Sequence, residues 1–168
     1  IGPVAGNGAA RPIVLEPGGV AVIRHRGTDA GACGNQTSGS AITTANEPAI
    51  ALVGADHVTL RNLVVEGGPG LDRGILLAPS SRSDGAQHNR LENVLVRLDR
   101  TNPNSIGLQQ VALFAPTTLD GTNSFNRYLN VTVENAAAGI ALTGSASWFD
   151  ADCEIGGLPG GRTVIGGP

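Results

Sequence analysis

Val58-Thr59-Leu60-Arg61-Asn62-Leu63-Val64-Val65 is a short strand signal with an asparagine set into it, and the same pattern returns twice. Leu91-Glu92-Asn93-Val94-Leu95-Val96 and Tyr128-Leu129-Asn130-Val131-Thr132-Val133 repeat the order apolar-x-Asn-apolar-x-Val. Period-two alternation of this length, rich in β-branched residues, predicts strands. A second motif, the triplet Ile-x-Leu, occurs at Ile13-Val14-Leu15, Ile50-Ala51-Leu52, Ile75-Leu76-Leu77, Ile106-Gly107-Leu108 and Ile140-Ala141-Leu142. Short strands recurring every 25 to 35 residues or so, separated by Gly, Asn and Pro, fit the coils of a solenoid, each strand pairing with its equivalent in the next coil. Five triplets predict about five coils.

The spacing locates the variable part of each coil. From Ile to the repeat's Asn the distance grows from 12 (Ile50 to Asn62) to 18 (Ile75 to Asn93) to 24 (Ile106 to Asn130). From Asn to the next Ile it holds at 13, 13 and 10. Insertions therefore enter at one corner, and segments 79–88 and 110–125 should lie on the same side, where a binding surface is expected. Asn62, Asn93 and Asn130 fall at one position in successive coils. An asparagine there tolerates left-handed backbone angles and can pass amide hydrogen bonds from coil to coil as a structural ladder.

Composition agrees. The chain has 168 residues, 25 Gly and 10 Pro, only 3% aromatic residues and no Met, which describes many turns around a small-aliphatic interior. The length suits one domain, residues 1–168, with 1–11 as an N-terminal extension and 12–165 as coils. All 11 basic residues are Arg and the net charge is −3, so neither a nucleic-acid surface nor a polybasic membrane anchor is indicated. No apolar run is long enough for membrane insertion. The chain starts at Ile1 without a basic or apolar leader and reads as a mature or trimmed product.

Residues 58–65, with the repeats that echo them, resemble the right-handed parallel β-helix superfamily, the pectate-lyase-like group whose coils often read Val-Thr-Leu-x-Asn-Leu-x-Val. The resemblance spans roughly residues 12–165 and rests on a structural motif. It implies an all-β right-handed parallel β-helix. It leaves function open among polysaccharide lyases, glycoside hydrolases, adhesins and inert surface modules. The Asn-Thr-Asp, Asp-Asp and Gly-His-Gly sets of the pectin hydrolases are absent, as is Lys, and no lyase signature stands out. Sugar-stacking aromatics are few: Trp148, Tyr128 and three Phe.

One segment carries a concentrated charge pattern. In Trp148-Phe149-Asp150-Ala151-Asp152-Cys153-Glu154-Ile155, strand alternation would put Asp150, Asp152 and Glu154 on one face and Phe149, Ala151, Cys153 and Ile155 on the other. Three such carboxylates could hold calcium, the only cofactor the chain suggests, or do acid–base work. The competing account is a solvated outer face on the last coil. His25, His57 and His88 have no metal-ligand spacing, although stacking of coils could bring two together. The glycosylation-type triplets at Asn35 and Asn130 are explained by chance, and the Gly-rich stretches 67–70 and 156–161 read as turns.

Cys33 falls in the first coil and Cys153 in the last. Four coil spacings separate them by about 19 Å, whereas bridged Cα atoms lie within about 7 Å. Stacking of subunits would instead bring Cys153 of one chain to Cys33 of the next; the alternative is two unpaired thiols. Neither terminus shows a capping helix, and solenoid ends left uncapped expose unpaired backbone and core. Either the chain is part of a longer β-helix or its ends pair with other copies, and a head-to-tail contact that does not close gives a filament. The expectation is a non-catalytic structural protein, secreted or at the cell surface, that polymerises with itself. The alternatives are a carbohydrate-active or polysaccharide-binding β-helix, which if an enzyme would be a lyase or glycoside hydrolase, and a stalk fragment of a larger adhesin.

Overall fold

A computed structural model of the chain describes residues 12–27, 48–157 and 164–165. It is all-β, with no α-helix among the described residues, and every pairing between its strands is parallel. The strands are β1 (Ile13–Leu15), β2 (Ala21–Gly27), β3 (Pro48–Val53), β4 (Val58–Gly70), β5 (Arg73–Ala78), β6 (Arg90–Arg97), β7 (Ile106–Val111), β8 (Arg127–Glu134), β9 (Ala138–Thr143), β10 (Glu154–Gly156) and β11 (Val164–Ile165). A first sheet stacks β1-β4-β6-β8-β10, with β2 beside β4 and β11 beside β8; a second stacks β3-β5-β7-β9. From β3 to β10 the chain alternates between the sheets, a β-helix-like arrangement in which each pass adds one rung to both.

The asparagines explain how one long strand serves two directions. Asn62, Asn93 and Asn130 have φ of 55°, 53° and 53°. A residue in that left-handed region turns the chain and breaks the strict alternation, so that Leu60 and Leu63, three apart, both face the core. The same happens at Leu91 and Val94, and at Tyr128 and Val131. Register then aligns like with like: Leu15, Leu60, Leu91, Tyr128 and Ile155 form one interior column, and Ile50, Ile75, Leu108 and Ile140 another. Most inner members are fully buried, whereas Leu15 is 42% and Ile155 46% exposed, because nothing among the described residues stacks on the outer side of either rung.

The first Ile-x-Leu triplet differs from its expected place. Ile13-Val14-Leu15 pairs with Val58-Thr59-Leu60 in the first sheet, while the other four triplets stack on one another in the second. Three residues of alternating apolar character fit either sheet, so the triplet by itself does not select its partner. The first sheet still has five successive rungs on its main path, whereas the second has four.

Two outward columns of the first sheet carry charge in alternating sign, while in a third Arg90 and Arg127 stand opposite one another, each paired with a glutamate, Glu92 and Glu154. Arg24, Glu66, Arg97 and Glu134 are in register, with contacts of 2.7, 3.4 and 2.9 Å along the column. Beside them Glu16, Arg61 and Glu92 repeat the device at 2.9 and 3.2 Å. Each exposed pair contributes little. In a parallel stack, however, identical residues would place like charges directly opposite one another, and alternation removes that repulsion.

Candidate functional site: the inserted corner

The insertions do share one side. Segments 79–88 and 112–125 both connect the second sheet to the first, and they pack together through backbone: Thr117 N–H donates to Arg82 O at 2.9 Å and Gly85 N–H to Asp120 O at 2.6 Å. The contact is close enough to require glycine. A Cβ on Gly85 would lie 1.8 Å from Thr122 O, and one on Gly121 2.0 Å from Arg82 O.

At the inner edge of this corner runs a second left-handed column, one that no recurring residue type announces. His57, His88, Phe125 and Asp152 have φ of 54°, 54°, 62° and 52°. A positional signal is nevertheless present, because the first three each stand five residues before a repeat asparagine. Stacking of coils brings the rings face to face, His57 on His88 at 4.8 Å and His88 on Phe125 at 4.7 Å between centroids. Burial, and after it the neighbouring His57, lower the pKa of His88 below its usual 6.5, with Asp56 pulling the other way. Burial raises Asp56 above its usual 3.8, partly offset by the Gln87 N–H that its carboxylate accepts at 2.7 Å. Two faces of His88 are thus covered by rings, so the stack offers an incoming sugar edges more than platforms.

Immediately inside lie the buried asparagines Asn89 and Asn126, also unmarked in the sequence. Asn89 Oδ1 accepts from Val58 N–H at 2.9 Å and its Nδ2 donates to Ala55 O at 2.7 Å. One coil on, Asn126 Oδ1 accepts from Asn89 N–H at 2.9 Å and its Nδ2 donates to Ala86 O at 2.7 Å. Each side chain therefore supplies the turn of the preceding coil with the donor and acceptor that its backbone lacks. Register would give the next coil Cys153 at this position. A thiol cannot do both jobs, and the interior changes character there.

That change produces a polar cluster at the last rung. Gln110, aligned with Leu52 and Leu77, accepts from Tyr128 Oη at 2.5 Å and from Asn126 Nδ2 at 3.0 Å, and donates to Asp150 Oδ2 at 2.8 Å. Burial, then the neighbouring Cys153 and Asp150, raise the Tyr128 phenol well above 10.0. A cavity of about 200 Å³ opens beside the cluster, lined by Gln110, Leu142, Gly144, Phe149, Asp150 and Cys153.

The carboxylate trio does not share a strand face. Only Glu154 lies in a strand; Asp152 occupies a left-handed turn, and Asp150 is turned onto Gln110 and the Asn123 N–H, which it accepts at 2.9 Å. Glu154 pairs with Arg127 at 2.5 Å. The strand expectation fails because the left-handed residue at 152 breaks the alternation that would align the three. Among the described residues no three His, Cys, Asp or Glu side chains are grouped to hold a metal ion. The ladder residues are joined in sequence: Asn130 Nδ2 donates to Asn93 Oδ1 at 2.7 Å and Asn93 Nδ2 to Asn62 Oδ1 at 3.2 Å. Cys153 is a free thiol, half-buried, 3.4 Å from Asn123 O. Cys33, like Asn35, lies outside the described residues. His57 and His88 are brought together, and His25 stands apart on β2. Against known proteins, no family model, no curated protein and no solved structure matches this chain.

Proposed function

We propose that this chain is a right-handed parallel β-helix of the pectate-lyase-like kind that serves as a structural module outside the cell, stacking head to tail on copies of itself. The hand follows from the strong preference of parallel crossovers. The observation that carries the reading is the exposure of the interior columns at both outer rungs: Leu15 at one end, Leu142 (41%) and Ile155 at the other, where inner rungs bury the equivalent positions. The N-terminal rung also offers a cavity of about 310 Å³ lined by Leu15, Ile23, Ala49, Ile50, Ala51, Leu60 and Leu63. Apolar columns cut off in this way favour another rung on top.

Charge favours head-to-tail over tail-to-tail orientation. Glu154 and Asp152 add negative charge at the C-terminal end, and tail-to-tail pairing would set acid against acid. Bridges between Cys153 and the next copy's Cys33 belong to the same proposal.

Sedimentation velocity over a range of concentrations, beside electron microscopy and non-reducing gels, tests it. Growth into thin filaments is expected, with Ile155→Arg held as a folded monomer. A wild-type protein that stays monomeric at the highest concentration refutes the stacking. Filaments whose subunits separate on a gel without reductant refute the bridge alone.

A further inference from the structure

We propose that Arg73 forms a binding site for a small oxyanion, a carboxylate or phosphate, at the opposite corner from the insertions. Arg73 begins β5 and is only 1% exposed. Its Nε donates to Gln109 Oε1, and its Nη1 to Asp72 O at 2.9 Å and Asn104 O at 3.1 Å. These three neutral acceptors lock the guanidinium in place and occupy Nε and Nη1. Nη2 has no hydrogen-bond partner among the described residues and is not sealed from solvent. Arg73 also makes no ion pair among the described residues; the adjacent Asp72 spends Oδ1 on Asn102 Nδ2 at 2.9 Å, and its Oδ2 is buried without a partner.

Beside the guanidinium is a cavity of about 190 Å³, lined by Arg73, Pro103, Asn104, Ser105, Ile106, Ala137 and Ala138. Arginine remains charged at any ordinary pH, and a guanidinium largely removed from water gains most from an acceptor bearing negative charge. The cation is held rigidly by bonds that do not neutralise it, and it borders a space large enough for one small oxyanion. Preorganisation of this kind lowers the ordering cost of binding. Ala138 lies on β9, the outer rung of the second sheet, so the site is tested at protein concentrations where the chain is monomeric.

The test is thermal unfolding of the folded wild-type protein titrated with inorganic phosphate and, separately, acetate, against chloride at equal ionic strength. A saturable rise in Tm with either oxyanion and not with chloride is expected, and which of the two acts at lower concentration identifies the source chemistry. Arg73→Gln should abolish the rise. Because that variant removes a buried side chain and could fail to fold, Ala138→Glu provides the second arm: a carboxylate tethered at the exposed rim should raise Tm by itself and suppress the response to added oxyanion. Absence of a saturable rise in the wild type, or a rise that persists unchanged in Ala138→Glu, overturns the assignment.

Discussion

The two left-handed corners of each coil solve the same problem by different means. At the outer corner, Asn62, Asn93 and Asn130 repeat one residue, and the exposed amides pass a single chain of hydrogen bonds from rung to rung. At the inserted corner the left-handed residue changes from His to Phe to Asp, and the bonding falls to Asn89 and Asn126 in the interior, each serving the coil before it. The outer corner is therefore redundant and wet, so that water can replace a lost amide. The inserted corner is sealed, with no substitute for a missing partner.

The largest effect should come from opening the sealed corner. Asn126→Leu matches the size of the side chain while leaving Asn89 N–H and Ala86 O buried and unpaired. At about 1–3 kcal/mol for each orphaned group, a loss on the order of 3–5 kcal/mol is expected. Urea denaturation measures it, and a loss under about 1 kcal/mol would mean that the turn finds other partners.

At the outer corner the backbone angle should matter more than the amide. Asn93→Ala forces an alanine into the left-handed region, at about 1–2 kcal/mol. Asn93→Gly keeps the angle and loses only the two exposed ladder bonds, so it should cost under about 1 kcal/mol. The same urea measurement on both variants separates the two contributions. Equal losses would assign the corner's stability to the ladder and not to its φ.

This contrast also explains what is legible in the sequence. Asn62, Asn93 and Asn130 can be read because one residue type recurs within an alternating apolar pattern, and pattern is what strand stacking imposes. The inserted corner repeats a conformation, φ near +54°, and His, Phe and Asp reach it without sharing a side chain. Its buried asparagines cannot be told from surface ones, because burial depends on what the neighbouring coil places over them. The Asp150, Asp152 and Glu154 set misleads for a related reason: alternation converts sequence into faces only where the backbone stays extended, and Asp152 leaves that region. Ile13-Val14-Leu15 is legible as a strand but not as a member of its stack, since the triplet is too short to specify its partner.

The smallest expected effect lies in the ring stack, and its sign is fixed by His88. Burial and His57 hold the folded-state pKa below 6.5, so the unfolded chain takes up the proton first as the pH falls. Stability from this group is complete above about pH 6.5 and declines as the pH drops through that value toward the lower folded-state pKa. Asp56 has the opposite sense, because its raised pKa favours the folded chain as the pH falls toward the usual 3.8, and so it offsets part of the histidine loss. The ring is partly open to water, and the drop in Tm between about pH 7.5 and 5.5 should not exceed about 3 °C. His88→Phe keeps a ring between His57 and Phe125 at an angle that Phe125 already adopts, and removes the titrating group. Thermal unfolding of this variant should show a flatter dependence on pH across that window and an unchanged or higher Tm at its acid end. A slope identical to that of the wild type would place the acid sensitivity outside the ring at position 88.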